Sequence, residues 1–138
     1  MKLVFDEPGS SLAAELWDRA DSVVSSQLIY PEARAAVASA HRGRRITPAT
    51  LRQAVARIDL LCTEVSIIGL DVDLAHTAGD LAEAHGLRGY DAVHLATALS
   101  VNVDALLLAT WDNDLAHAAG AAGCSVSPPP PPQRTSRP

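Results

Sequence analysis

Short apolar runs alternate along this chain with segments in which apolar residues recur every three or four positions. The short runs predict β-strands at Ser22–Ser25, Val65–Leu70 and Ala105–Ala109, with an edge strand at Cys124–Val126. These runs are apolar at successive positions instead of alternating with polar residues. That pattern is typical of strands that helices cover on both faces of a parallel sheet.

The segments with helical spacing predict six helices between these strands. Thr47 is a predicted N-cap with Pro48 at the first helical position, Ser26 is a predicted cap of an earlier helix, and Gly86 ends a later one. The predicted helices are Ser10–Ala20, Ser26 to about His41, Thr47 to about Val65, Asp73 to about His85, Tyr90–Ser100 and Asp112–Ala122. Strands that alternate with helices predict an α/β fold with one parallel sheet.

Composition limits the classes of protein to consider. The 138 residues are 48% hydrophobic, which suits one domain over residues 1–127, followed by a proline-rich disordered tail at 128–138. Sixteen acidic against eleven basic residues disfavour a nucleic-acid binder that acts through overall positive charge. They do not exclude RNA chemistry at an acidic site, because a bound divalent cation reverses the local charge.

The cysteines and the hydropathy pattern indicate the compartment. Cys62 and Cys124 match neither a zinc site nor a disulfide framework, so we expect two buried thiols in a reducing environment. No apolar run approaches the length of a membrane span, and no signal pattern opens the chain. The sequence therefore predicts a soluble cytoplasmic protein that does not contact membranes.

Four acidic residues occupy positions from which they can share a ligand. Glu32 lies early in a helix after a predicted strand, Asp91 begins the most apolar helix, and Asp112 and Asp114 directly follow another strand. Ligands of parallel α/β sheets collect beyond the carboxyl ends of the strands. Clustered carboxylates repel one another unless a cation such as Mg²⁺ or Mn²⁺ binds them. Such a cation activates water and stabilises a phosphate under attack, which is phosphodiester hydrolysis.

Each acid also has a purely structural interpretation. Asp112 is in position to be a helix N-cap, and Asp114 is a favourable charge in the first helical turn. Glu32 is interpretable as a solvated acid near a helix start. For Asp91, capping and catalysis both stay open at this stage, since its helix is so apolar. It is the joint pattern of the four that favours a metal site.

One histidine, one threonine and a group of arginines bear on the same chemistry. His94 is either a core histidine or the residue that orients Asp91, and Thr110 either ends a strand or supports Asp112 through its hydroxyl. Six arginines in the second and third helices either form a solvated surface or guide RNA phosphates toward the acids. These are Arg34, Arg42, Arg44, Arg45, Arg52 and Arg57.

Three sequence blocks carry a family resemblance: Tyr30-Pro-Glu32-Ala-Arg-Ala-Ala, Tyr90-Asp91-Ala-Val-His94-Leu-Ala and Ala109-Thr-Trp-Asp112-Asn-Asp114-Leu. In order and spacing they resemble PIN-domain ribonucleases of the VapC toxin type, over about residues 2–127. The resemblance implies a three-layer α/β/α fold and a magnesium-dependent endoribonuclease from a bacterial type II toxin–antitoxin pair. It also implies a homodimer that a cognate antitoxin silences. By residue, it makes Glu32, Asp91 and Asp112 the catalytic and metal-binding acids, with Asp114 as a further ligand.

The start of the chain departs from that family pattern. Family members open with a central apolar strand that ends in a catalytic aspartate, whereas the segment from Met1 to Gly9 resembles the family segment located after that strand. Asp6 and Glu7 accordingly match the loop after the first family helix, not the missing ligand. Two interpretations are open: a start site assigned too late, or a PIN-like module that has lost catalysis and only binds antitoxin or RNA.

Two further alternatives concern binding and signalling. Leu12, Leu16 and Trp17 form an apolar stripe that either packs in the core or receives an antitoxin helix. A receiver-like signalling domain also gathers aspartates at the strand ends of a parallel sheet. That domain needs a lysine near its site, and Lys2 is the only lysine here, so the sequence disfavours it.

Overall fold

The computed structural model describes residues 1–101, 103 and 105–132, and the chain divides into two compact units, Met1–Gly69 and Leu70–Pro138. The first unit contains α1 (Ser10–Arg19), β1 (Val23–Ser26), α2 (Ile29–Arg42), α3 (Pro48–Cys62) and β2 (Val65–Ile68). The second contains α4 (Val72–His85), α5 (Gly89–Ser100), β3 (Leu107–Ala109), α6 (Asn113–Ala121) and β4 (Ser125–Ser127). This alternation confirms the predicted α/β class.

The first unit is built on the packing of α2 against α3. Val37, Ala54 and Ile58 are buried between these helices, because each lies on the apolar stripe of its own helix. Partly buried side chains surround them: Met1, Val4, Phe5, Ala33, Leu51, Val55 and Cys62. Thr47 caps α3 as predicted, since its Oγ1 accepts the Thr50 N–H at 3.1 Å.

The second unit is organised around α5, which packs against both α4 and α6. Half of its twelve residues are buried, which explains why the sequence of this helix is apolar on nearly every face. Gly86 ends the preceding helix in a left-handed conformation (φ 65°), as predicted, because glycine adopts positive φ at no steric cost. The packing therefore fixes the start of α5, where Asp91 lies.

The strands form two parallel pairs where the sequence predicts one sheet. In the first unit β1 pairs with β2, with Val23 opposite Val65, and in the second β3 pairs with β4. Two strand side chains are nevertheless largely exposed, since Ile67 of β2 and Leu107 of β3 are 47% and 45% exposed. A hydrogen-bonded neighbour covers the edge of a strand, whereas its side chains are covered only where another element packs on the face of the sheet.

One predicted helix cap proved wrong, and the cap of α4 is a residue that the sequence analysis did not name. Ser26 ends β1 instead of capping α2, and its Oγ accepts the Leu28 N–H at 3.2 Å across a turn. The cap of α4 is Asp71, whose Oδ1 accepts the Leu74 N–H at 2.8 Å, while Asp73 lies inside the first turn. Both aspartates suit a helix start by propensity, and the extended backbone of Asp71 decides between them.

Other expectations were met in part. Cys62 and Cys124 are free thiols as predicted, but both are half-buried and not fully enclosed. Burial nevertheless raises the pKa of the Cys124 thiol above its ordinary value. Among the described helices, none combines the length and the apolarity that crossing a bilayer requires.

The domain boundary at residue 127 stays a prediction, and so does the disordered tail. Of that tail, residues 133–138 lie outside the described part of the chain. The described part of the proline-rich segment lies against α6, because the Pro131 carbonyl oxygen is 2.9 Å from His117 Nε2.

Candidate active site

Asp91 is a buried carboxylate in the first turn of the central helix of the second unit. It is 8% exposed and is the one acidic side chain that the described residues bury to this extent. Burying a carboxylate is costly, although the positive end of the helix dipole offsets part of that cost. An acid retained in such a place marks a candidate functional site.

Asp112 combines a structural role with an exposed carboxylate. It is the N-cap of α6, and its Oδ1 accepts the Leu115 N–H at 2.9 Å, so the capping interpretation is confirmed. Of the two interpretations of Thr110, the structure shows the contact with Asp112, because the Thr110 Oγ1 accepts the Asp112 N–H at 3.1 Å. No described residue donates a hydrogen bond to Oδ2 of Asp112. That oxygen can therefore bind a cation without loss of the cap.

Arg88 places Asp91 and Asp112 in one electrostatic environment. Its exposed guanidinium donates a hydrogen bond from Nη1 to the Tyr90 hydroxyl at 2.7 Å. The pKa of Arg88 is raised above its ordinary value, and the largest causes are that hydrogen bond and the electrostatic interaction with Tyr90. Attraction to Asp91 raises the pKa further, and attraction to Asp112 adds a weaker contribution. The Arg88 guanidinium therefore interacts electrostatically with both acids, although about 20 positions separate Asp91 from Asp112 in the sequence.

The remaining predicted residues lie at three places. Glu32 is half-buried in the first turn of α2 and belongs to the first unit. Asp114 is exposed in the first turn of α6, and His94 is half-buried one turn along α5 from Asp91. The structure therefore places Asp91 at the start of α5, and Asp112 and Asp114 at the start of α6, which packs against α5 in the second unit.

The donor chemistry of this group suits magnesium. Within the described residues of either unit, no three His, Cys, Asp or Glu side chains are close enough together to hold a metal ion. Magnesium does not require such a cage, because it commonly binds through one or two carboxylates together with waters and substrate phosphates. Asp91 and Asp112 offer that donor set. The roles of all the named site residues stay predictions.

Arg88 and Tyr90 are the residues that sequence reasoning missed as site residues. The signal was present in the charge pattern, because Arg88 is the only lysine or arginine between residues 70 and 132. It lies three positions before Asp91. A single basic residue three positions before an aspartate, in an otherwise acidic half of the chain, is the sequence signal for this interaction.

Comparison with known proteins identifies the family to which this chain is similar. Residues 1–121 match the PIN domain family. The chain is also similar to Ribonuclease VapC45 of Mycobacterium tuberculosis (strain CDC 1551 / Oshkosh) and to Ribonuclease VapC49 of Mycobacterium tuberculosis (strain ATCC 25618 / H37Rv). Each is 45% identical over 128 residues, which cover 93% of this chain and 89% of the relative.

Proposed function

The chain belongs to the PIN-domain family, of the VapC type, and from that premise we propose that it is a metal-dependent endoribonuclease toxin that cleaves RNA phosphodiester bonds. The observation that carries the proposal is the buried carboxylate of Asp91 at the start of α5, with the exposed carboxylate of Asp112 at the start of the helix packed against it. Relatives named ribonucleases over nearly the whole chain support it.

The proposal gives each residue a task. Asp91 and Asp112 would hold Mg²⁺ or Mn²⁺ through carboxylate oxygens, and the sequence resemblance assigns Glu32 and Asp114 as further acids of the metal site. When bound, the ion neutralises phosphate charge and lowers the pKa of a bound water. Thr110 fixes the loop before α6 through the Asp112 N–H.

Partners are also proposed. The relatives are named VapC, and the sequence resemblance implies a cognate antitoxin that silences the enzyme and a homodimer as the assembly. The first-unit arginines are proposed to attract RNA: Arg42, Arg44, Arg45, Arg52 and Arg57 are exposed, whereas Arg34 is only half-exposed and lies 3.9 Å from Asp59. Exposed arginines of this kind attract the phosphates of a polyanion.

Removal of metal tests the function directly. We expect the purified chain to cut a labelled single-stranded RNA in Mg²⁺ or Mn²⁺, to stop in excess chelator, and to resume when Mg²⁺ is restored, because carboxylates alone repel phosphate. Gel analysis of the fragments is the measurement. Cleavage that persists in chelator contradicts metal dependence. RNA binding without cleavage under every condition supports the second candidate, a module that binds but does not cut.

A pair of substitutions at Asp112 separates its cap from its charge. Asparagine caps helices about as well as aspartate, whereas alanine at an N-cap costs about 0.5–2 kcal/mol. We expect Asp112→Asn to unfold in urea near the wild-type midpoint yet to lose RNA cleavage, because the amide cannot replace a charged ligand. Asp112→Ala should lose both stability and cleavage. If Asp112→Asn cleaves RNA at the wild-type rate, the role of Asp112 is purely structural.

A further inference from the structure

The two halves of the chain carry very different charge. Residues 1–69 contain eight acidic and eight basic side chains, whereas residues 70–132 contain eight acidic side chains and Arg88 alone. An RNA phosphate that approaches the acids of the second unit therefore meets repulsion from most directions within that unit. Arg88 is the one side chain between residues 70 and 132 whose permanent charge attracts it.

The position of Arg88 suits a phosphate-binding group. It is the N-cap residue of α5, its side chain is exposed, and one of its five N–H donors is committed to the Tyr90 hydroxyl. A guanidinium offers donors in a planar fork that matches two phosphate oxygens at once. The bond to Tyr90 restricts the rotation of a long side chain, so less conformational freedom is lost when a phosphate binds.

On the basis of the proposed function, we infer that Arg88 binds a backbone phosphate of the RNA strand that lies over Asp91 and Asp112. Tyr90 is a positioning residue, which holds the guanidinium toward that strand through its hydroxyl. Arg88 then offsets, for the substrate, the repulsion that the two acids create. The acids bind the cation, and Arg88 binds the phosphate.

A purely structural role for Arg88 makes a different prediction. If Arg88 only balanced the charge of the two acids, its loss would change stability but not the number of phosphates that the protein contacts. For single-stranded nucleic acid, the slope of log binding constant against log salt concentration is about −0.7 for each phosphate contact. The salt slope therefore distinguishes the two roles. The assay pH does not distinguish them, because an arginine side chain stays protonated at any assay pH.

The test measures binding of a fluorescein-labelled single-stranded RNA by anisotropy, in chelator and at several salt concentrations. We expect Arg88→Gln to weaken binding roughly tenfold and to reduce the salt slope by about 0.7. Arg88→Lys keeps the charge and should keep the slope, with weaker binding because the fork is lost. Tyr90→Phe should keep the slope and weaken binding by a few fold.

Arg19→Gln is the matched control. Arg19 is an exposed arginine of α1 that pairs with Glu15 at 2.9 Å, outside the proposed site, and its loss should leave affinity and slope unchanged. Thermal unfolding of each variant verifies the fold. If Arg88→Gln does not fold, Arg88→Lys and Tyr90→Phe decide, and wild-type affinity in both overturns the inference.

Cleavage assays on the same variants separate this inference from the proposed function. In Mg²⁺, Arg88→Gln should raise KM while Tyr90→Phe raises it less. RNA binding that depends on Arg88 without any cleavage by the wild type supports the phosphate role and refutes the nuclease. Cleavage by the wild type with an unchanged salt slope in Arg88→Gln overturns the phosphate role and leaves the nuclease standing. Absence of RNA binding by the wild type overturns both.

Discussion

The Asp91→Asn variant is expected to lose RNA cleavage while it keeps its fold. The amide has almost the same volume as the carboxylate, so the packing around α5 persists. It carries no charge, however, and binds Mg²⁺ far more weakly than a carboxylate does. Metal ions contribute several kcal/mol to transition-state stabilisation, and each 1.36 kcal/mol is tenfold in rate, so the expected loss is at least about a thousandfold. The measurement is the initial rate of cleavage of a labelled RNA in saturating Mg²⁺.

Asp80→Asn provides the charge-matched control for this experiment. Asp80 is an exposed acid of α4 in the same unit, and it has no assigned part in the site. Its variant should cut RNA at the wild-type rate. Thermal unfolding of Asp91→Asn should stay near that of the wild type, because removing a buried charge also removes its desolvation cost. A folded Asp91→Asn that still cuts RNA would remove this acid from the proposed chemistry.

Leu95→Ala should produce the largest loss of stability. Leu95 is 0% exposed and lies one turn after Asp91 on the same face of α5. Truncation of a fully buried leucine to alanine costs about 2–5 kcal/mol, because transfer free energy is lost and a cavity remains. The free energy of unfolding of native domains is only about 5–15 kcal/mol, so this substitution removes a substantial part of it. The free energy of unfolding in urea measures the effect.

Leu99→Ala on the same helix tests whether burial is the cause. Leu99 lies one turn beyond Leu95 and is 41% exposed, so less apolar area returns to water when it is truncated. We expect its loss of stability to be well under half that of Leu95→Ala. Equal losses in the two variants would mean that helix propensity, not core packing, holds α5 in place.

Local sequence signals predicted the helices well, because their causes are local. Thr47 with Pro48 marks the start of α3 through one hydrogen bond and one fixed dihedral angle, and Gly86 marks the end of α4 through positive φ. Where two nearby residues were both suitable helix caps, the sequence did not decide between them. Asp71 and Asp73 are both good caps, and only the backbone path selects Asp71.

The strands show where local signals stop. Apolar runs predicted that strands exist, but pairing and cover depend on residues far away in the sequence. The sequence could not indicate that β1 pairs with β2 alone among the described strands, or that Ile67 and Leu107 remain largely exposed. Burial of a strand face is a property of its neighbours and not of its own residues.

For the site, the sequence by itself determined which acids are available and that each stands at the start of a helix. Asp91 and Asp112 were identifiable in this way, because capping and helix-dipole effects act within one turn. Only the tertiary structure decided that Asp91 is buried, that Asp112 uses one oxygen as a cap, and that both act on Arg88. Electrostatic interactions depend on distance in space, and the packing of α5 against α6 sets those distances.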